Sequence, residues 1–154
     1  MDRIYFIIGK IIEKTQVIEL NLEEVVKYSE IVGEYNRNRD MSVKDLKIAE
    51  DAAEYLKAKM ESMTLGERIH IVCATRCFSK TEADSLKAAL EKRNYFVHEY
   101  FKLFIYNSAD KALIDEEVAA LKEYYTDLVS LNKKIELYKD AFSRDYEKIK
   151  KVVK

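Results

Sequence analysis

Not one proline occurs in this 154-residue chain, and only three glycines do. Proline removes a backbone donor and clashes with the preceding turn, and glycine is costly in a helix interior. A chain almost free of both has nothing to interrupt helices. Charged residues make up 36% of it, interleaved with Leu, Ile, Val, Ala and Tyr. These features predict an all-α protein, an up-and-down bundle of about five helices with a long C-terminal helix. The length fits a single domain, 1–154, able to bury a core without disulfides or metal.

The apolar spacing divides the chain into elements. Ile4, Ile8, Ile11, Ile18, Leu22 and Val25 recur every three or four residues, with Thr15 filling one step. They mark one face of a helix running to about Tyr35. Asn21 followed by Glu24 offers a cap signal, so this stretch reads either as one helix or as two divided near residue 20. Asn36 to Asp40 reads as a polar loop. A helix starts near Ser42, with Asp45 as capping partner, and turns Leu46, Ala49, Ala53, Leu56 and Met60 inward. Thr64-Leu65-Gly66-Glu67 is a capping box for a helix over about 65–77. Ser79-Lys80-Thr81-Glu82 is another, opening a fourth helix to about Tyr106. Asn107, Ser108 and Asp110 form the next turn and cap. From 111 to 152, Leu121, Leu128, Leu131, Ile135, Tyr138, Phe142, Ile149 and Val153 line one seam. Such a helix extends about 60 Å, which calls for a bend near Asn132 or a partner chain for its far end.

A net charge of −1 argues against broad attraction to nucleic acid and leaves room only for a local basic cleft. Two cysteines and no secretion signal fit a reducing cytoplasm. The apolar start, Met1 to Ile12, is interrupted by Asp2, Arg3 and Lys10 and is too short to span a bilayer, so no membrane partner is expected.

Several constellations could carry chemistry. On a helix through residue 77, His70, Cys73 and Cys77 share a face, as zinc ligands would. They lack a fourth ligand and lie among Ile69, Ile71, Val72 and Phe78, so the plainer reading is core, with no metal or other cofactor. Glu23-Glu24 and Asp115-Glu116-Glu117 read as solvated faces or helix starts rather than acid–base pairs. The eleven tyrosines, Tyr124-Tyr125 among them, read as core or interface residues with their hydroxyls at the rim.

The run Arg93-Asn94-Tyr95-Phe96-Val97-His98-Glu99-Tyr100 is more informative. Arginine grips phosphate with a planar fork of donors, and histidine gives or takes a proton near neutral pH. On one continuous helix Asn94 and His98 share a face, and Arg93 and Tyr100 share the next. Arg93 and His98 are five residues apart and point in different directions. The groups converge if the arginine reaches around the helix, or if a second copy of the helix faces the first. The competing reading is an ion-paired arginine beside a half-buried histidine.

The run resembles the motif of the HEPN superfamily, Arg-x4-His with a polar residue directly after the arginine, carried here by Arg93, Asn94 and His98. Tyr100 extends the likeness to the Arg-x4-His-x-Tyr form of HEPN toxins in toxin–antitoxin pairs. The resemblance implies a HEPN-like helical bundle and a metal-independent endoribonuclease, the toxin of such a pair or part of a phage-defence system. It further implies RNA as substrate and a homodimer whose motif helices line one cleft. His98 would be the general acid or base, Arg93 the phosphate-stabilising group and Asn94 an orienting residue. Tyr100 would be the site of AMPylation by a nucleotidyltransferase antitoxin. Two alternatives stand beside it. One is a non-catalytic HEPN-like module for dimerisation or for binding nucleotide or RNA. The other is a helical interaction protein using the seam from Leu121 to Val153.

Overall fold

The computed structural model describes residues 2–75, 77–104 and 110–153, without the side chains of Leu65, Leu103 and Phe104. Every regular element among them is helical: α1 (Asp2–Arg37), α2 (Val43–Glu61), α3 (Leu65–Ala74), α4 (Lys80–His98), α5 (Tyr100–Phe104) and α6 (Lys111–Val152). The chain is an all-α bundle with a long C-terminal helix.

The caps act where the sequence places them. Ser42 with Asp45 and Thr64 with Glu67 form reciprocal capping boxes. Ser79 accepts from the Glu82 amide, and Asp110 from that of Ala112. Each satisfies a donor that the first helical turn would otherwise leave unpaired. Asn107 and Ser108 lie outside the described residues.

The division near residue 20 does not occur, and α1 runs unbroken. Asn21 is buried and donates across the bundle to Asn132, at 2.9 Å, instead of capping a new helix. α6 is likewise continuous from Lys111 to Val152. It lies along α1, which at 36 residues is about 54 Å long. The two run parallel. Arg3 pairs with Asp115 at one end, and the Tyr28 and Tyr146 rings meet at 5.6 Å toward the other.

The remaining helices wind back and forth beside that pair. α2 returns antiparallel to α1, tied by Lys27–Glu54 and Lys57–Glu24. α3 reverses again, and α4 with α5 comes back antiparallel to α6. Tyrosine hydroxyls clip this last leg in place. Tyr138 donates to Glu82 at 3.0 Å, Tyr124 to the Ala89 carbonyl and Tyr100 to Glu117 at 3.0 Å. Burial pushes the Tyr124 phenol up to about 12, so at neutral pH it remains a donor.

The main core joins Ile4, Ile11, Ile18 and Leu22 of α1 to Leu86 and Leu90 of α4 and to Leu121, Leu128 and Ile135 of α6. A smaller cluster, built on Ile31, Met41, Leu46 and Ile149, closes the other end. Much of the seam from Leu121 to Val153 packs within the chain, with Leu131, Tyr138, Phe142 and Val153 only partly covered.

One polar layer interrupts the α1–α6 core. Asn21 bonds Asn132, Asn132 donates to Glu136 at 3.0 Å, and Lys139 donates to Asn21 at 3.2 Å. A paired buried amide fixes the register of facing helices at some cost in stability. Asn132→Leu is expected to destabilise the fold by about 1–3 kcal/mol, because Asn21 keeps its burial and loses its acceptor. Changing Asn21 to Leu as well should recover part of that loss in urea unfolding.

Candidate functional site

The run from Arg93 to His98 forms the last turns of α4, and the helix ends at His98 rather than continuing to about Tyr106. Tyr106 itself lies outside the described residues. At Glu99 the backbone takes φ −119° and ψ −32°, its amide bonds the Tyr95 carbonyl, and a new short helix begins at Tyr100. That one-residue break changes the facing derived for a continuous helix. Tyr100 turns inward, 3% exposed, among Tyr95, Phe96 and Phe101.

The other three motif residues stay together near the surface. Asn94 and His98 are exposed, one turn apart on the same face of α4. Arg93 is half-buried, and its Nη1 donates to the Asn94 carboxamide oxygen at 3.3 Å. Its Nε is buried and has no hydrogen-bond partner among the described residues. An unpaired buried donor is costly. An outside acceptor would relieve it only once the Arg93 side chain shifts outward, because the atom is covered. Tyr95 and Val97 flank His98, each 43% exposed.

Burial, reinforced by the bond to Glu117, pushes the Tyr100 phenol well above its ordinary value. The hydroxyl is therefore neutral and enclosed.

The metal reading of His70, Cys73 and Cys77 loses its geometry. α3 ends at Ala74, so Cys77 is not on that helix and the three share no face. Both thiols are free and half-buried. No group of three or more metal-binding side chains occurs among the described residues. No helix among them is long and apolar enough to cross a membrane.

The acidic pair at 23–24 is a second correction. Glu23 is not solvated. It is 2% exposed and pairs with Arg68 at 3.2 Å. Arg68 also reaches Glu19 and donates to the carbonyls of Met60 and Glu61, so it ties the α2–α3 junction to α1. Burial holds the Glu23 carboxyl above its usual range, and Arg68 opposes that shift. No local pattern announces this pairing, because the two residues are far apart in sequence.

Comparison with family models, curated proteins and solved structures returned no match.

Proposed function

We propose that the protein is a metal-independent endoribonuclease of the HEPN type, acting in a cleft between two copies of the chain. The observation that carries this reading is the end of α4. There Asn94 and His98 are exposed one turn apart, and Arg93 leans on Asn94 while holding a buried donor with no partner among the described residues. A phosphodiester supplies what the cluster lacks, an anionic acceptor for the guanidinium.

In the mechanism, His98 takes the proton from an RNA 2′-hydroxyl. The 2′-oxygen attacks the adjacent phosphorus, and the bond to the 5′-oxygen breaks. The leaving oxygen takes a proton from an imidazolium, supplied by the His98 of a second copy. The products are a 2′,3′-cyclic phosphate and a 5′-hydroxyl. Arg93 stabilises the charge that builds on the non-bridging oxygens, and such electrostatic stabilisation usually contributes most to catalysis. Asn94 orients the imidazole or the phosphate. No step calls on a metal ion or cofactor.

A second copy would bring a further Arg93 and His98 to the same phosphate, although the two leave their own α4 in different directions. Tyr95 and Val97 supply exposed apolar surface beside the polar pair, as the centre of a two-fold interface requires. Val97→Arg places like charges opposite one another in such a dimer. It is expected to yield a monomer by light scattering and to lose RNA cleavage with it. A Val97→Arg monomer that cleaves at the wild-type rate would rule out the two-chain cleft.

In its cellular role the reading is of a cytoplasmic toxin or phage-defence nuclease, silenced by a nucleotidyltransferase antitoxin. AMP would pass from ATP to the Tyr100 oxygen, with release of pyrophosphate and the phenolic proton, as α5 opens and Glu117 gives up its bond. The bulky anion would then hold α5 out and repel RNA. An intact-mass gain of one AMP on Tyr100 after co-expression with such a partner is the expected sign.

A further inference from the structure

At the amino end of α1, Arg3, Phe6, Ile7, Lys10, Lys122 and Tyr125 line a pocket of about 260 Å³ between α1 and α6. Three of the six are cations. Arg3 pairs with Asp115, and neither Lys10 nor Lys122 has an ion pair among the described residues. Lys10 and Lys122 thus bring two cations without ion pairs among the described residues to one pocket. The rings are placed unusually too. Phe6 is 66% exposed. The Lys10 ammonium lies 5.1 Å from its centroid and 5.3 Å from that of Tyr125, so one cation faces both rings.

Exposed aromatic faces interleaved with lysines form the general chemistry of single-strand binding, in which a base stacks on a ring and cations follow the backbone. The pocket also lies at the same end of the bundle as the motif. Tyr5, the neighbour of Phe6, stacks on Phe101 of α5 at 4.9 Å, and α5 follows directly on His98. We infer that the Phe6–Tyr125 pocket is a subsite for one nucleotide of single-stranded RNA. The base stacks on Phe6 and Tyr125, and Lys10 and Lys122 take the phosphate. Lys10 has a flexible stem and can leave the rings as the base enters. The identity of the strand as RNA rests on the nuclease reading above; the stacking and charge do not.

A basic, aromatic patch can also meet an anionic membrane surface. The concave shape between two helices favours a strand, since membrane binding calls for a protruding apolar face.

The test uses the full chain carrying His98→Ala, so that RNA survives, and a short fluorescent RNA without secondary structure. Phe6→Ala is expected to weaken binding about tenfold. Lys10→Gln and Lys122→Gln are each expected to lower the salt dependence of binding by about 0.7 in log–log slope. Phe6 and Lys122 are exposed, so neither change removes core, and circular dichroism checks the fold. Unchanged affinity and slope, or no RNA binding at all, overturns the subsite. So does loss of binding to phosphatidylserine vesicles with RNA binding intact, which assigns the patch to a lipid surface. The nuclease reading is tested separately on the chain with His98 restored. RNA binding that depends on Phe6 without cleavage keeps the subsite and discards the nuclease. Cleavage with binding indifferent to Phe6 does the reverse.

Discussion

His98→Ala is expected to slow RNA cleavage by about 10²–10⁴-fold while leaving the fold intact, the usual cost of removing a positioned proton-transfer group. His98 is exposed at the last residue of α4 and anchors no core, so a loss of activity cannot be a loss of folding. Arg93 separates charge from geometry. Arg93→Ala should cost about 10²–10³-fold, as the removal of one oxyanion donor does in other enzymes. Arg93→Lys keeps a cation but not the planar fork that holds Asn94 and, in the proposed mechanism, would grip phosphate, and should recover only part of the rate. A His98→Ala chain that cleaves at the wild-type rate would end the proposed chemistry.

For stability, a large effect is expected at Arg68. Arg68→Ala is expected to cost about 3–5 kcal/mol, because it leaves Glu23 buried without its counter-charge. In a chain of this size that lowers Tm by about 10 °C. The variant should also acquire a distinctive pH dependence. The folded-state pKa of Glu23 is raised above its ordinary 4.5, so the native state holds the proton more tightly than the unfolded chain does. Its stabilising contribution is full below that value and is lost as pH rises through the folded pKa. Without Arg68 only Lys57 opposes the shift, and the loss extends to higher pH. Arg68→Ala should therefore be relatively less damaging near pH 5 than at pH 7.5. Adding Glu23→Gln should flatten that difference and recover much of the stability. Equal destabilisation at both pH values would show that Glu23 is not the source.

What could be read from the residues was local. The three-to-four residue spacing of Ile4, Ile8, Ile11 and Ile18, and the capping pairs at Ser42 and Thr64, are short-range physics, and the helices start where those signals stand. Features set by tertiary partners were not legible. Asn21 looks like a cap until Asn132 is beside it, and Glu23 looks solvated until Arg68 arrives from α3. The break at Glu99 has neither glycine nor proline to announce it. Its effect is to bury Tyr100 against Glu117 while leaving His98 outside. The motif was visible as a set of residue types. Its division into an exposed pair, a leaning arginine and an enclosed tyrosine was not.

The proposed chain cuts RNA by internal attack of a 2′-hydroxyl, with its own side chains and no metal. Mass spectrometry of the RNA ends released by the purified wild-type protein in excess chelator reads that chemistry without intermediaries. The expected ends are 2′,3′-cyclic phosphates paired with 5′-hydroxyls, and they should disappear in the His98→Ala chain. Intact RNA, or ends bearing 5′-phosphate and 3′-hydroxyl, would refute the mechanism.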